Sequence, residues 1–305
     1  MDDNLLQVQR GDRFAFGRNW KSFTDLVDES RIRHAIDSLR AALGVEDLAG
    51  RTFLDVGCGS GLFSLAAHRL GARVHSFDFD AEAVESALRL RRAFAPDASW
   101  TIEQGSILDG GYRARLGTFD VVYAWGVLHH TGAMWDAFDA AVGLVAPDGL
   151  LFVSLYNDQG RESRIWTAVK RRYNRSGPVV RGALIAGSSA YIYRAWPLIK
   201  VMGLLPGRNR PALTRPRGMS RWHDMLDWVG GYPFEVSKPE QVLARARTHD
   251  LGLLHLQTCG GGLGCNQYVL RRPGGSAGAQ EPAEPADDLA HLGGARAEPA
   301  HGHPR

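Results

Sequence analysis

Glycines and an acidic residue at a fixed spacing are the strongest chemical signal in the sequence. The segment DVGCGSG at residues 55–61 stands where a predicted strand turns into a predicted helix. Glycines at such a turn let the backbone approach a ligand, and the following helix N-terminus offers N–H groups to an anionic group. The glycine spacing is GxGxG, and Leu62 stands where the dinucleotide-binding pattern GxGxxG needs a third glycine. The turn therefore predicts a ligand-binding loop.

Asp78 adds a second acidic residue to this prediction. It follows the next predicted strand, about 20 residues beyond the first glycine, where a carboxylate can accept hydrogen bonds from both hydroxyls of a ribose. Together, Asp55, the glycine turn and Asp78 favour an adenosyl ligand that carries an amino-acid group over one that carries a pyrophosphate.

Two adjacent histidines stand at the end of a predicted strand. His129 and His130 follow the fourth predicted strand, and an imidazole with an ordinary pKa of about 6.5 can take a proton from a bound hydroxyl. We favour His130 as this base. His223, next to Asp224, is an alternative. An equally weighted interpretation is that one histidine only caps or packs at the strand end and that the reaction proceeds by proximity alone.

Short apolar strands alternate with amphipathic helices around these residues. Strands are predicted at 52–56, 73–77, 100–103, 119–125 and 150–155, with helices at 62–70 and 81–94. This alternation indicates a parallel sheet covered on both faces. A helix at 239–249 precedes strands at 253–258 and 267–270, and the short glycine turn between the two strands makes them antiparallel. The predicted fold is α/β, a Rossmann-like doubly wound sheet, mostly parallel with a C-terminal antiparallel hairpin and an inserted helical lobe.

Composition divides the chain into five segments. Residues 1–50 are predicted as an N-terminal helical cover, in which apolar residues from Ile32 to Leu43 recur at helical spacing. The binding core covers 51–155, a basic, aromatic-rich helical insertion that forms the acceptor lobe covers 156–235, and the closing helix and strands cover 236–272. Residues 273–305 are rich in Gly, Ala, Pro, Glu and His, a composition that predicts disorder.

The net charge of +3 conceals an uneven distribution. Residues 161–221 hold fourteen Arg or Lys and one acidic residue, Glu162. Such a segment predicts an anionic partner, although a solvated arginine-rich surface explains it equally well. Within it, Arg217 and Arg221 have the spacing to clamp a phosphate or a carboxylate.

Cysteine usage and hydropathy point to a cytoplasmic protein. The three cysteines match neither a disulfide framework nor a zinc pattern, so we expect no metal. The N-terminus lacks the pattern of a secretory signal. The longest nearly uncharged stretch, 182–193, is too short for the roughly 20 apolar residues of a membrane span.

The motif series DVGCGSG, VHSFD, EQGSILD and FDVVYAWGVLHH resembles that of class I S-adenosylmethionine-dependent methyltransferases, in particular the ubiquinone-pathway-like O-methyltransferases. The segments FGRNW, YNDQG and GGGLGCNQY resemble a bacterial subgroup of these enzymes. The resemblance implies a seven-stranded sheet, S-adenosyl-L-methionine as cofactor and methyl transfer to an acceptor over the strand ends. It implies that Asp55 holds the amino group and that Asp78 holds the ribose. The other implied cofactor contacts are Gly57, Gly59, Ser60, Gly61, Phe79, Ser106, Ile107 and Trp125.

These observations predict a methyltransferase that acts on an oxygen of a small phenolic, sugar or lipid-linked acceptor, with peripheral membrane contact open. An RNA methyltransferase that uses the basic lobe is an alternative, since aromatic residues are mixed with its arginines. The Asn-Pro-Pro-Tyr or Asp-Pro-Pro-Tyr segment of base-methylating enzymes is absent after the fourth strand. A non-catalytic cofactor-binding scaffold is the third hypothesis.

Overall fold

The computed structural model describes residues 3–202 and 221–274, with side chains described except at 3–5, 18–19, 193–202 and 221–224. Residues 275–305 of the predicted disordered tail and Arg217 lie outside the described residues. Within the described part of the chain, seven strands form one sheet in the order β3-β2-β1-β4-β5-β7-β6. The strands are β1 (Thr52–Val56), β2 (Arg73–Asp78), β3 (Trp100–Gln104), β4 (Phe119–Trp125), β5 (Val145–Tyr156), β6 (Gly252–Gln257) and β7 (Cys265–Arg271).

The first five strands pair in parallel, and β7 pairs antiparallel with both β5 and β6. The predicted sheet and its C-terminal hairpin are therefore confirmed. Because β1 and β4 are neighbours and parallel, the loops after them meet at one edge of the sheet, where open α/β sheets bind ligands. The loop after β1 carries the glycine turn and the loop after β4 carries the histidines.

Helices cover the sheet and the strand ends. In the described residues they are α1 (Asp3–Gln9), α2 (Phe16–Thr24), α3 (Glu29–Leu43), α4 (Leu62–Arg69), α5 (Ala81–Phe94), α6 (Gly110–Arg113), α7 (Met134–Gly143), α8 (Arg161–Asn174), α9 (Pro178–Met202), α10 (Arg221–Gly230) and α11 (Pro239–Arg247). Acidic caps begin two of the site-flanking helices: the Asp80 side chain accepts from the Glu82 N–H before α5, and Asp109 accepts from the Gly111 N–H before α6.

The predicted boundaries agree with the structure within two residues for most elements, and β5 is the clear exception. It begins at Val145, five residues before the predicted start, because Val145 pairs with Phe119 across a register shift. The Ala-Pro-Asp-Gly segment after Val145 has the composition of a turn, and Asp148 has a φ of 59°. The turn-like residues thus form a bulge inside a longer strand.

Alternate residues of the central strands pack into two buried clusters, one on each face of the sheet. Phe53 and Val121 belong to one cluster with residues of α3 to α5, and Leu54 and Val122 belong to the other with residues of α7 and α11. A third, smaller cluster of Tyr173, Met225 and Val229 joins α8 to α10. The helices between β5 and α11 therefore have a core of their own. The five-segment division stays a prediction.

Candidate active site

The glycine turn after β1 is built from left-handed backbone. Gly57, Gly59 and Gly61 have φ values of 70°, 55° and 80°, a region that L side chains rarely adopt. A Cβ on Gly57 would lie 2.5 Å from Val127 Cγ1, and one on Gly59 would lie 2.8 Å from Trp20 Cε2. The turn therefore requires glycine at these positions for conformation and for space.

Asp55 is buried at the end of β1 and held by a hydrogen-bonded chain. The Ser64 hydroxyl donates to Asp55 Oδ2 over 2.5 Å, and Ser64 Oγ lies 2.7 Å from Ser76 Oγ. The Trp100 indole N–H donates to that same Ser76 oxygen over 2.7 Å. All four residues are buried. Sequence reasoning missed Ser64, Ser76 and Trp100, because they come from three elements that only the fold brings together.

Burial raises the pKa of Asp55 to about 7; the Ser64 hydrogen bond opposes the shift, and the charge of Asp78 adds to it. Neither residue is cationic. The described residues thus leave a buried carboxylate at the glycine turn without a cation that stabilises it. Such a position suits a ligand that brings a positive charge and disfavours a pyrophosphate.

Asp78 ends β2 beside the glycine turn. Its Oδ2 accepts from the Gly59 N–H over 2.9 Å, and its Oδ1 accepts from the Asp80 N–H over 2.9 Å. Burial raises the pKa of Asp78 to about 6, although both backbone hydrogen bonds and the charge of Arg13 lower it. The structure therefore brings Asp55, Asp78 and the three glycines close together, and their binding roles stay predictions.

The other predicted cofactor contacts lie around this centre. Phe79 is part-buried, with the Arg13 guanidinium 4.9 Å from its ring centroid. Ser106 is part-buried, while Ile107 is buried in the core with Phe77 and Tyr112. Ser60 is buried in the turn. The Trp125 indole N–H donates to Gln267 Oε1 over 3.1 Å, toward β7. Their roles toward a cofactor stay predictions.

The N-terminal segment lies over the site. The Gly17 N–H donates to Asp80 Oδ2 over 2.8 Å, which fixes the start of α2 to the loop after β2. Trp20, one turn along α2, contacts Gly59, and Arg13 donates from Nη1 to the His130 carbonyl over 3.0 Å. The segment thus joins the cofactor side of the site to the histidine side.

His129 and His130 are buried after β4 in a 3-10 turn, Leu128–His130. His130 Nδ1 lies 2.6 Å from the Pro233 carbonyl oxygen, so Nδ1 carries the proton and Nε2 is the basic nitrogen. Burial lowers the pKa of His130 to about 3, with Lys170 and Arg13 adding to the shift. His130 is therefore neutral near pH 7. His223 lies in α10, where its side chain and those of Arg221 and Asp224 are not described.

Lys170 is a buried amine that sequence reasoning did not select. It lies on the buried stripe of α8, 0% exposed, and donates to the Trp228 carbonyl. Its Nζ lies 4.6 Å from the ring centroids of Trp228 and Phe234 and 5.7 Å from that of Tyr156. We call these three rings and the amine the lysine box. The sequence indicates its position only through spacing: Lys170 lies four residues after Trp166 and three before Tyr173, which places all three on one face of a helix.

Part of the basic segment makes contacts within the chain. Arg175 pairs with Asp12 over 2.7 Å, and Arg171 donates to the Tyr232 hydroxyl over 3.0 Å. Arg181 donates to the Tyr173 carbonyl over 3.1 Å. These three arginines therefore hold α8 and its neighbours together, which supports the structural interpretation for them. No helix within residues 3–202 and 221–274 combines the length and apolar character that crossing a membrane requires.

Comparisons with known proteins show what the central part of the chain is similar to. Residues 54–151 match a family described as a methyltransferase domain. The chain is 34% identical over 123 residues to a ubiquinone biosynthesis O-methyltransferase of Methylobacterium sp. strain 4-46, covering 39% of this chain and 46% of that protein. It is 32% identical over 160 residues to the protein of the same name from Neisseria meningitidis serogroup C strain 053442, covering 52% and 66%. The chain thus spans between about half and two thirds of the length of these relatives.

Two solved structures share the fold. One is an O-methyltransferase family protein from Burkholderia thailandensis, with a TM-score of 0.52 and 16% identity over 90% of this chain and 69% of that one. The other is the magnesium protoporphyrin IX methyltransferase of Synechocystis PCC 6803 with bound S-adenosylmethionine, with a TM-score of 0.51 and 13% identity over 89% and 98%. At these identities the likeness concerns the fold alone.

Proposed function

We infer that residues 54–151 form the core of a class I S-adenosylmethionine-dependent methyltransferase, and that this protein transfers the methyl group of S-adenosylmethionine to a hydroxyl of a small-molecule acceptor. The acceptor classes we propose are phenolic, sugar and lipid-linked compounds. Three cysteines without a disulfide, Cys58, Cys259 and Cys265, are consistent with the cytoplasmic location we propose.

The observation that carries this proposal is the buried carboxylate of Asp55. A carboxylate whose pKa burial raises to about 7 is costly in the absence of a cation, and the described residues supply none at that position. We propose that the amino group of S-adenosylmethionine is the cation that pairs with Asp55. A dinucleotide pyrophosphate at the same turn would instead meet negative charge on Asp55.

We assign each residue around the turn to a different part of the cofactor. We propose that the backbone of Gly57, Gly59 and Gly61 contacts the methionine portion, since left-handed φ values keep this turn free of larger side chains. Asp78 would accept the ribose hydroxyls, and Phe79 would pack against the adenine with Ser106 and Ile107 nearby. When bound, S-adenosylmethionine supplies an electrophilic methyl group on sulfur.

The proposed binding site of the methyl acceptor lies where β4 and β5 end. Methyl transfer is an in-line displacement, so the protein has to align the acceptor oxygen and to let its proton leave. His130 presents an unprotonated Nε2, but its pKa of about 3 makes it a weak proton acceptor. We therefore propose that His130 positions the acceptor rather than holding its proton. His129 would line the same wall against Tyr156, whose ring centroid is 4.0 Å away.

Calorimetric titration of the purified chain with S-adenosylmethionine, S-adenosylhomocysteine and NAD tests the cofactor assignment. We expect both adenosyl ligands to bind in the micromolar range and NAD not to bind. Release of S-adenosylhomocysteine in the presence of phenolic and lipid-linked compounds then tests the transfer. Binding of NAD without binding of either adenosyl ligand would contradict the proposal.

A further inference from the structure

Three polar side chains meet the buried carboxylate of Asp55 from three different elements. Ser76 on β2 is the register partner of Asp55 on β1, so both side chains lie on one face of the sheet. Trp100 on β3 pairs with Val74, two residues before Ser76, and therefore shares this face. Ser64, in the first turn of α4, has its Oγ 2.7 Å from Ser76 Oγ and 2.5 Å from Asp55 Oδ2. We call Trp100, Ser76 and Ser64 the donor relay.

The hydrogen bonds of the donor relay all run toward Asp55. An indole nitrogen can only donate, so the Trp100 N–H donates to Ser76 Oγ. Ser64 has a single hydroxyl proton and gives it to Asp55 Oδ2. The proton between the two serines therefore comes from Ser76. Because hydrogen bonds in series polarise one another, each bond of the relay strengthens the next one.

This direction favours the ionised form of Asp55. With an ionised carboxylate, the relay has three protons for three hydrogen bonds. A proton on Oδ2 would add a fourth, and one buried proton would then have no acceptor within the relay. A proton on Oδ1 would remove the charge that strengthens these bonds. The relay therefore stabilises the carboxylate relative to the carboxylic acid.

Packing alone does not require polar side chains at these positions. Ser64 and Ser76 are 0% exposed and Trp100 is 2% exposed. Alanine would occupy nearly the same volume as either serine without the cost of burying a hydroxyl. The Trp100 ring also lies under the glycine turn, with Cη2 3.1 Å from the place of a Cβ on Gly61. The relay thus connects the edge strand β3 to the turn that we assign to the cofactor.

We propose that Trp100, Ser76 and Ser64 are positioning residues that keep Asp55 ionised for the ammonium group of S-adenosylmethionine. This inference rests on the proposed function, in which that ammonium group pairs with Asp55. The three residues act through Asp55: without them, the buried carboxylate takes up a proton at a higher pH and loses its attraction for the ammonium group there.

The titratable groups that face Asp55 come from the turn and from the two neighbouring strands. Burial raises the pKa of Asp55, the Ser64 hydrogen bond lowers it, and the charge of Asp78 at the end of β2 raises it. Burial and both carboxylates raise the pKa of the Cys58 thiol, which is therefore uncharged near neutral pH. Tyr123 on β4 is the other register partner of Asp55, and a phenol is uncharged there as well. Of the groups named here, only the donor relay favours the charge on Asp55.

Calorimetric titration of S-adenosylhomocysteine, which carries the same amino group, tests the relay between about pH 6 and about pH 8.5. Ser64→Ala should raise the pH midpoint of binding by about one unit, which weakens binding about tenfold at about pH 6 and less than about twofold at about pH 8.5. Ser76→Ala removes a donor that does not contact Asp55 and should raise the midpoint by about half a unit, or about threefold in affinity at about pH 6. A damaged fold would instead weaken binding at every pH.

Ser86→Ala is the matched control, because Ser86 is 1% exposed and its hydroxyl donates to the Glu82 carbonyl within α5. It should keep the pH midpoint of the wild-type protein. The inference is overturned if Ser64→Ala and Ser76→Ala both keep that midpoint, if they weaken binding equally at every pH, or if Ser86→Ala shifts the midpoint as far. If Ser64→Ala does not fold, Ser76→Ala decides by the same criteria. Failure of the proposed function is a separate result, in which the wild-type protein binds no S-adenosylhomocysteine at any pH.

Discussion

The indole of Trp20 packs against Gly59, so close that a Cβ on the glycine would lie 2.8 Å from Cε2 and 3.0 Å from Nε1 of the ring. Helix α2 thereby places a side chain directly over the turn that we assign to the methionine portion of the cofactor. The contact links the predicted N-terminal cover to the binding loop. It also makes Gly59 sensitive to substitution for two separable reasons, backbone conformation and space.

Gly59→Ala and Gly117→Ala separate these reasons. Both glycines have left-handed backbone, with φ values of 55° and 72°, but no heavy atom lies within 4 Å of a Cβ on Gly117. We expect Gly117→Ala to lower the free energy of unfolding by about 1–2 kcal/mol and to leave S-adenosylhomocysteine binding intact. Gly59→Ala should cost more stability and abolish binding, as measured by denaturation and calorimetry. Equal effects of the two changes would argue against a binding role for the turn.

Asp78→Asn tests the ribose contact at nearly constant shape. The amide keeps one acceptor oxygen but loses the charge that strengthens hydrogen bonds to hydroxyls, so S-adenosylhomocysteine should bind at least about tenfold more weakly. Asp97→Asn is the control, because Asp97 is exposed in the loop between α5 and β3. Calorimetry that gives the same dissociation constant for Asp78→Asn and the wild-type protein would remove Asp78 from the site.

The affinity for S-adenosylhomocysteine should rise with pH. Burial raises the pKa of Asp78 to about 6 and that of Asp55 to about 7, and both must be ionised to accept the ligand's hydroxyl and ammonium protons fully. As pH increases from about 5 to about 8, the carboxylates lose their protons and the dissociation constant should fall. Titrations across this range check the trend, and Asp78→Asn should retain only the part centred near the pKa of Asp55. A pH-independent affinity would contradict the assignment of both carboxylates.

Lys170→Met should change how stability depends on pH. The pKa of Lys170 falls from 10.5 to about 7 on folding, so between these values the unfolded state binds more protons and wild-type stability rises with pH. The variant lacks this rise. At or below pH 7, the free energy of unfolding of the variant should exceed that of the wild type by up to about 4 kcal/mol. This difference should shrink toward pH 10.

Chemical denaturation of both proteins at several pH values measures this difference. Arg172→Met, on the exposed side of α8, should show a flat difference over the same range. A flat difference for Lys170→Met as well would mean that Lys170 keeps its ordinary pKa in the folded protein.

Local pattern was enough to predict the sheet and the cofactor turn. The strands β1 and β4 are short, mostly apolar runs, and the glycine spacing of the DVGCGSG segment is typical of a ligand-binding turn. These features depend on neighbours in sequence, so no fold is needed to recognise them. β5 was misjudged at its start because its bulge is stabilised by pairing with Phe119, a contact of high sequence separation.

The acceptor side could not be predicted in the same way. The histidines after β4 predict a general base because of their residue type alone. The pKa of His130, however, depends on burial and on Lys170, which lies forty residues further along the chain. The Ser64–Ser76–Trp100 chain and the lysine box likewise join residues from separate elements. The sequence by itself determined which predicted strands the candidate site residues follow, and it indicated the kind of ligand at the glycine turn. Only the tertiary structure decided which groups are buried together, because protonation and hydrogen bonding depend on surroundings that distant segments supply.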